Sequence, residues 1–90
     1  MVEVRFTRHL RRFFPALEPI SVPEGTVAEI VSAVDARFPG IAAYVVTEAG
    51  GLRKHVNVFV DGEMIADRAN LTDEVPAGSE VFIMQALSGG

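Results

Sequence analysis

The side chains that most often do chemistry are scarce in this chain. It has no cysteine, which excludes a thiolate nucleophile, a disulfide and a cysteine metal site. Its two histidines, His9 and His55, are far apart and stand in no ligand-type spacing, so neither is read as a metal ligand. Ser88 has no evident base, and no catalytic triad can be assembled. What remains is the carboxylate that follows Gly89 and Gly90. Two glycines lack Cβ atoms, so the last two residues can lie extended in a slot too narrow for side chains and thread into another protein's active site. The competing reading is a frayed end that tolerates variation.

A tail of this kind needs a rigid element to present it. Val81-Phe82-Ile83-Met84-Gln85-Ala86 is a strand-like apolar run that leads directly into Leu87-Ser88-Gly89-Gly90. Earlier in the chain, Val2, Val4 and Phe6 alternate with Glu3, Arg5 and Thr7, the period of a half-buried strand. A second alternating stretch, residues 17 to 22, contains Pro19, which cannot donate to a ladder and so places this strand at an edge. The two form an opening hairpin.

Thr26 and Glu29 have the spacing of a capping box, and Val27, Ile30, Val31, Val34 and Phe38 recur at helical spacing. Pro39-Gly40 ends this helix, with Glu29, Asp35 and Arg37 left to face water. Residues 41 to 46 fit a short helix or a strand, and Gly50-Gly51 reads as a hairpin tip. It is no phosphate loop, because the Lys-Ser/Thr ending and the following helix are absent. Lys54 to Val60 is the strongest strand, Asp61-Gly62 a hairpin turn, and Glu63 to Ala66 a brief return. Asp67 to Ser79 reads as polar connection anchored in the core by Leu71 and Val75.

A lone amphipathic helix must bury its stripe on one sheet face, which makes the class α+β, a mixed sheet of four to five strands with one main helix on one face. Residues 1–86 form the domain and 87–90 the tail. The valines of strand 54–60, with Val81 and Ile83, line the covered face. By alternation Phe59, Phe82 and Met84 share the other. Three large apolar side chains there mark a partner-binding patch close to the tail, or else a minor core beneath residues 41–53 or 67–79.

Composition narrows the functional classes. Ninety residues allow one small core, and 49% apolar with 22% charged residues is a globular composition. The net charge of −4 argues against nucleic acid as the main partner. Arg5, Arg8, Arg11 and Arg12, with His9, form a local basic cluster, read as a solvated hairpin edge because only Phe13 and Phe14 offer aromatic surface beside it. Residues 1–5 alternate apolar and charged side chains, unlike the continuous apolar core of a signal peptide, and no apolar run reaches membrane length, so a soluble, cytoplasmic protein is expected.

The arrangement of hairpin, helix, strands and Gly-Gly end, with Val56-Asn57-Val58-Phe59-Val60-Asp61-Gly62-Glu63 and Gly78-Ser79-Glu80-Val81, resembles the ubiquitin-related β-grasp sulfur carriers. These include the small subunit of molybdopterin synthase (MoaD) and the thiamine-pathway carrier (ThiS). The resemblance covers essentially the whole chain, and its specific part is the last forty residues. Residues 41–55 are longer than in the shortest members, which favours molybdopterin-type or cysteine-biosynthesis-type carriers. The resemblance implies that an ATP-dependent activating enzyme adenylates the Gly90 carboxylate and that persulfide sulfur displaces AMP, leaving a thiocarboxylate. The chain would then be a substrate rather than a catalyst, with no bound cofactor or metal. Its partners would be that adenylyltransferase and a sulfur acceptor such as the large subunit of molybdopterin synthase, gripping Phe59, Phe82, Met84 and Leu87. Conjugation of Gly90 to lysines, as in ubiquitin, and a plain interaction domain are the alternatives.

Overall fold

Alternation in the first residues produces the expected strand. In the computed structural model, which describes residues 1–85, β1 (Val2–Phe6) buries Val2 and Val4 completely and exposes Glu3 and Arg5. It pairs antiparallel with β2 (Ile20–Val22), with Val2 opposite Val22 and Val4 opposite Ile20. β2 begins directly after Pro19 and lies at the sheet edge, where a residue without an N–H is tolerated. The connection between them holds a 3₁₀ helix, Arg8–Arg12, whose Leu10 is fully buried.

A two-residue strand, β3 (Gly25–Thr26), precedes the main helix α1 (Val27–Arg37). The capping box is formed in both directions. The Glu29 N–H donates to Thr26 Oγ1 at 3.2 Å, and the Thr26 N–H donates to Glu29 Oε1 at 2.9 Å. Val27, Ile30, Val31 and Val34 are the buried face. Beyond the helix, Gly40 takes a φ of +99°, a left-handed conformation that favours glycine. Asp35 does more than face water, since its Oδ1 accepts from the N–H groups of Gly40 and Ala42 at 3.1 and 3.0 Å and ties this turn down. The ambiguous segment that follows is helical, α2 (Ala42–Val45), and Val46 then bridges to Leu52 around a tip at Gly50.

The strongest strand signal gives β4 (Val56–Val60), two residues later than its expected start at Lys54. Asp61 and Gly62 both have positive φ, 50° and 86°, as the Asp-Gly hairpin requires, and lead into β5 (Glu63–Met64). The closing strand is β7 (Glu80–Gln85). Strand order in the main sheet is β2-β1-β7-β4-β5, with β1 and β7 parallel and the other neighbours antiparallel. β7 is therefore the central strand. One core of Val2, Val4, Val56, Val58, Val81 and Ile83 from the sheet meets the buried stripe of α1.

The reading of residues 67 to 79 as connection alone is corrected by β6 (Glu74–Val75), which pairs with β3 in a second, two-stranded sheet. This segment closes the start of α1. The N–H groups of Val27 and Ala28, which no helical turn can satisfy, donate to the carbonyls of Asp73 and Leu71 at 3.0 and 3.1 Å. Two carboxylates hold the segment in place. Asp73 accepts from the N–H groups of Ala66 and Asp67, and Asp67 accepts from Thr72 Oγ1 and the Asn70 N–H. These hydrogen bonds, from Thr72 first for Asp67 and from Ala66 first for Asp73, hold both carboxyls below their ordinary pKa. No helix among the described residues is long and apolar enough to cross a membrane.

Candidate functional site

Because side chains alternate along a strand, burying Val56, Val58, Val81 and Ile83 against α1 sends their neighbours to the opposite face. Phe59 lies directly opposite Phe82 across the β4–β7 ladder, and Met84 opposite Asn57. All three apolar side chains are half-buried, and they line a shallow groove of about 480 Å³ with Arg5, Gly62 and Glu80. The structure thus brings Phe59, Phe82 and Met84 together as the alternation predicted.

Among the described residues it also leaves no minor core on that face beneath residues 41–53 or 67–79. Residues 41–53 and 67–79 send Ile41, Val45, Leu52, Leu71 and Val75 into the core beneath the helix. Neither segment lines the groove. Met64 belongs to the expected return strand but not to the expected site residues, yet the Asp61-Gly62 turn sets the register that puts it opposite Phe59, and it is 52% exposed. A two-residue loop fixes that pairing, so the signal was available in the sequence.

Arg5 stands beside Phe82 in the parallel β1–β7 register. Its guanidinium lies between two carboxylates, with Nε 3.2 Å from Glu80 and a terminal nitrogen 3.5 Å from Glu3. Such exposed pairs add little stability.

β7 is paired with β1 as far as Ile83 and with β4 to its end. Gln85 lies opposite Val56, and its N–H donates to Thr7 Oγ1 at 3.3 Å. Leu87, Gly89 and Gly90 lie outside the described residues. The chain reaches them from an end of the sheet bounded by the 3₁₀ helix on one side and by residues 53–56 on the other. There Arg11 Nε donates to the Leu17 carbonyl at 3.1 Å, and Arg8 and Arg12 are exposed.

The basic cluster is less bare of aromatics than its sequence indicated. Tyr44, brought in by α2, sits 5.2 Å from Phe13 and 5.0 Å from Phe14 between ring centroids, and His9 meets Phe13 edge to face at 5.8 Å. Phe13 and Tyr44 are exposed at 48% and 38%. Nothing in the local sequence announces this contact, because it depends on α2 packing beside the 3₁₀ helix. No group of three potential metal ligands occurs among the described residues.

A five-stranded mixed sheet that wraps one main helix, with the chain continuing past its central strand, is the ubiquitin-like β-grasp architecture. The chain belongs to the ThiS family, whose model matches residues 4–90. Among solved structures it is similar to the Amycolatopsis orientalis BexX/CysO complex, with 31% identity, a TM-score of 0.85 and complete coverage of both chains. It is also similar to the small archaeal modifier protein SAMP1 of Haloferax volcanii, at 25% identity and TM-score 0.77, covering 99% of this chain and 98% of that one. A putative molybdopterin converting factor, subunit 1, from Pyrococcus furiosus shares the fold at 22% identity and TM-score 0.67, covering 96% and 97% of the two chains. No curated protein matches the chain.

Proposed function

We propose that this chain is a sulfur carrier whose reactive group is the Gly90 carboxylate. The carrying observation is that the ThiS-family match runs through residue 90 and so includes Gly89 and Gly90. A partner enzyme supplies ATP. The carboxylate attacks the α-phosphorus, pyrophosphate leaves, and the acyl adenylate makes a poor electrophile a good one. The terminal sulfur of a persulfide attacks the acyl carbon and AMP leaves. A second thiol then takes the donor's remaining sulfur as a disulfide, which releases the thiocarboxylate.

The groove at Phe59, Phe82 and Met84 is the grip for these partners, since a central apolar cluster supplies most of the affinity in a typical interface. Leu87, three positions before Gly90 in the sequence, is assigned to the same grip. The acceptor is a biosynthetic enzyme. The length of residues 41–55 suits molybdopterin-type and cysteine-biosynthesis-type acceptors alike, and 31% identity to a chain of the BexX/CysO complex supports the second. Similarity to the small archaeal modifier supports a second reading, in which the same activated carboxylate is joined to lysines.

The test is the intact mass of the protein from its native host, purified without added thiol. Replacement of one oxygen by sulfur at Gly90 is the expected result. A chain that stays unmodified after incubation with ATP, a persulfide donor and host extract would overturn the carrier reading, and protein conjugates through Gly90 would establish the second.

A further inference from the structure

Resting on the carrier reading, we propose that six basic side chains around the end of β7 form a cationic collar that docks on the acidic rim of the protein cleft receiving the tail. Arg8, Arg11 and Arg12 follow β1, while Arg53 and Lys54 lead into β4. These are the two strands that flank β7, so the cations stand on both sides of the chain as it leaves Gln85. Arg68 joins them from a distant segment. Its guanidinium donates to the Val56 carbonyl at 2.9 Å and to the Arg53 carbonyl at 3.0 Å. Six of the eight basic residues thus gather at one end of a chain whose net charge is −4.

Neutralisation within the fold does not explain the cluster. Arg5 and the N-terminal ammonium are the cations that pair with carboxylates among the described residues, and none of the six does. Glu18 lines a small groove with Arg11, yet forms no ion pair with it. Like charges gathered without counter-charges repel one another, so an external anionic surface is the physical complement.

Continuity with the apolar face selects a protein as that complement. The Arg11 groove, about 240 Å³, is also lined by Phe6, Pro19, Phe82 and Arg5, and Phe82 and Arg5 line the groove of Phe59 and Met84 as well. One partner can therefore cover both. Its apolar contacts would slow dissociation, and its carboxylates would speed encounter and orient the tail. A nucleic acid would engage the cations while leaving the Phe59 and Met84 face unused, against an unfavourable overall charge.

The experiment measures association and dissociation rates with the recombinant adenylating enzyme of the same organism, at low and at physiological ionic strength. The variants are Arg8→Glu/Arg12→Glu/Lys54→Glu and the neutral Arg8→Gln/Arg12→Gln. These three side chains are exposed and make no hydrogen bond among the described residues, so thermal melts should match the wild type. At low salt the triple variant should associate at least about tenfold more slowly with little change in dissociation, the neutral variant should fall between, and added salt should erase the difference. Equal association rates at low salt would overturn the collar. ATP–pyrophosphate exchange on the wild type separates the two ideas: exchange with charge-independent association refutes the collar alone, whereas charge-dependent association without exchange supports the collar and refutes the carrier chemistry. A fluorescent single-stranded oligonucleotide that binds the wild type and not the triple variant would assign the cations to nucleic acid and also overturn the proposal.

Discussion

Replacing Val58 by alanine removes two methyl groups from a side chain with 0% exposure, at the centre of the sheet face under α1. At about 0.8 kcal/mol for each buried carbon, the lost transfer energy is about 1.6 kcal/mol. A residual cavity of at most about 50 Å³, at roughly 24 cal/mol per Å³, adds up to about 1 kcal/mol, for a cost of about 2 to 3 kcal/mol. In a domain of this size each kcal/mol lowers the melting temperature by about 4–8 °C, so the midpoint should fall by about 8–24 °C. Phe59 is the next residue along the same strand and points the other way. Phe59→Asp should keep a cooperative melt while weakening binding to the activating enzyme at least about thirtyfold, the loss typical of a buried anchor. The assay pairs a urea or thermal melt with equilibrium binding for both variants, because each alone is ambiguous. The reasoning fails if Phe59→Asp unfolds the chain, or if Val58→Ala melts with the wild type.

Deleting Gly89 and Gly90 should leave the melt unchanged and abolish ATP-dependent acyl-adenylate formation; retained pathway function in a complementation assay would make the glycines incidental. Thr26→Ala removes the acceptor for the Glu29 N–H and should cost about 1 kcal/mol, read as a shift in the urea midpoint without a change in slope. Acid should loosen the segment that closes α1. Asp67 and Asp73 have lowered pKa values in the fold, so in falling pH the unfolded chain takes up protons first; their contribution is present above about pH 4 and drains away below it. Amide exchange at Val27 and Ala28, whose N–H groups bond to Asp73 and Leu71, should accelerate in that window relative to α1's centre in wild type, and Asp67→Asn/Asp73→Asn should exchange faster at neutral pH with a flatter response to acid.

Local patterns in the chain were enough to determine most of the sheet and its two faces. Alternation at Val56 to Val60 and at Val81 to Met84 separates Val58 and Ile83 from Phe59 and Phe82 with no knowledge of the partners, because side-chain direction along a strand has a period of two. The capping box at Thr26 and Glu29 and the turn at Asp61-Gly62 were legible for the same reason, since each is satisfied within four residues. The terminal Gly89-Gly90 was visible as a chemical group, together with the absence of cysteine. Only the tertiary structure decided that β7 is central and parallel to β1, that β3 and β6 close the start of α1, and that Tyr44 packs against Phe13. It also gathered Arg8, Arg12, Lys54 and Arg68 at one end of the sheet. Those relations join residues tens of positions apart, and nothing in a local pattern encodes which distant surfaces meet when one small core closes.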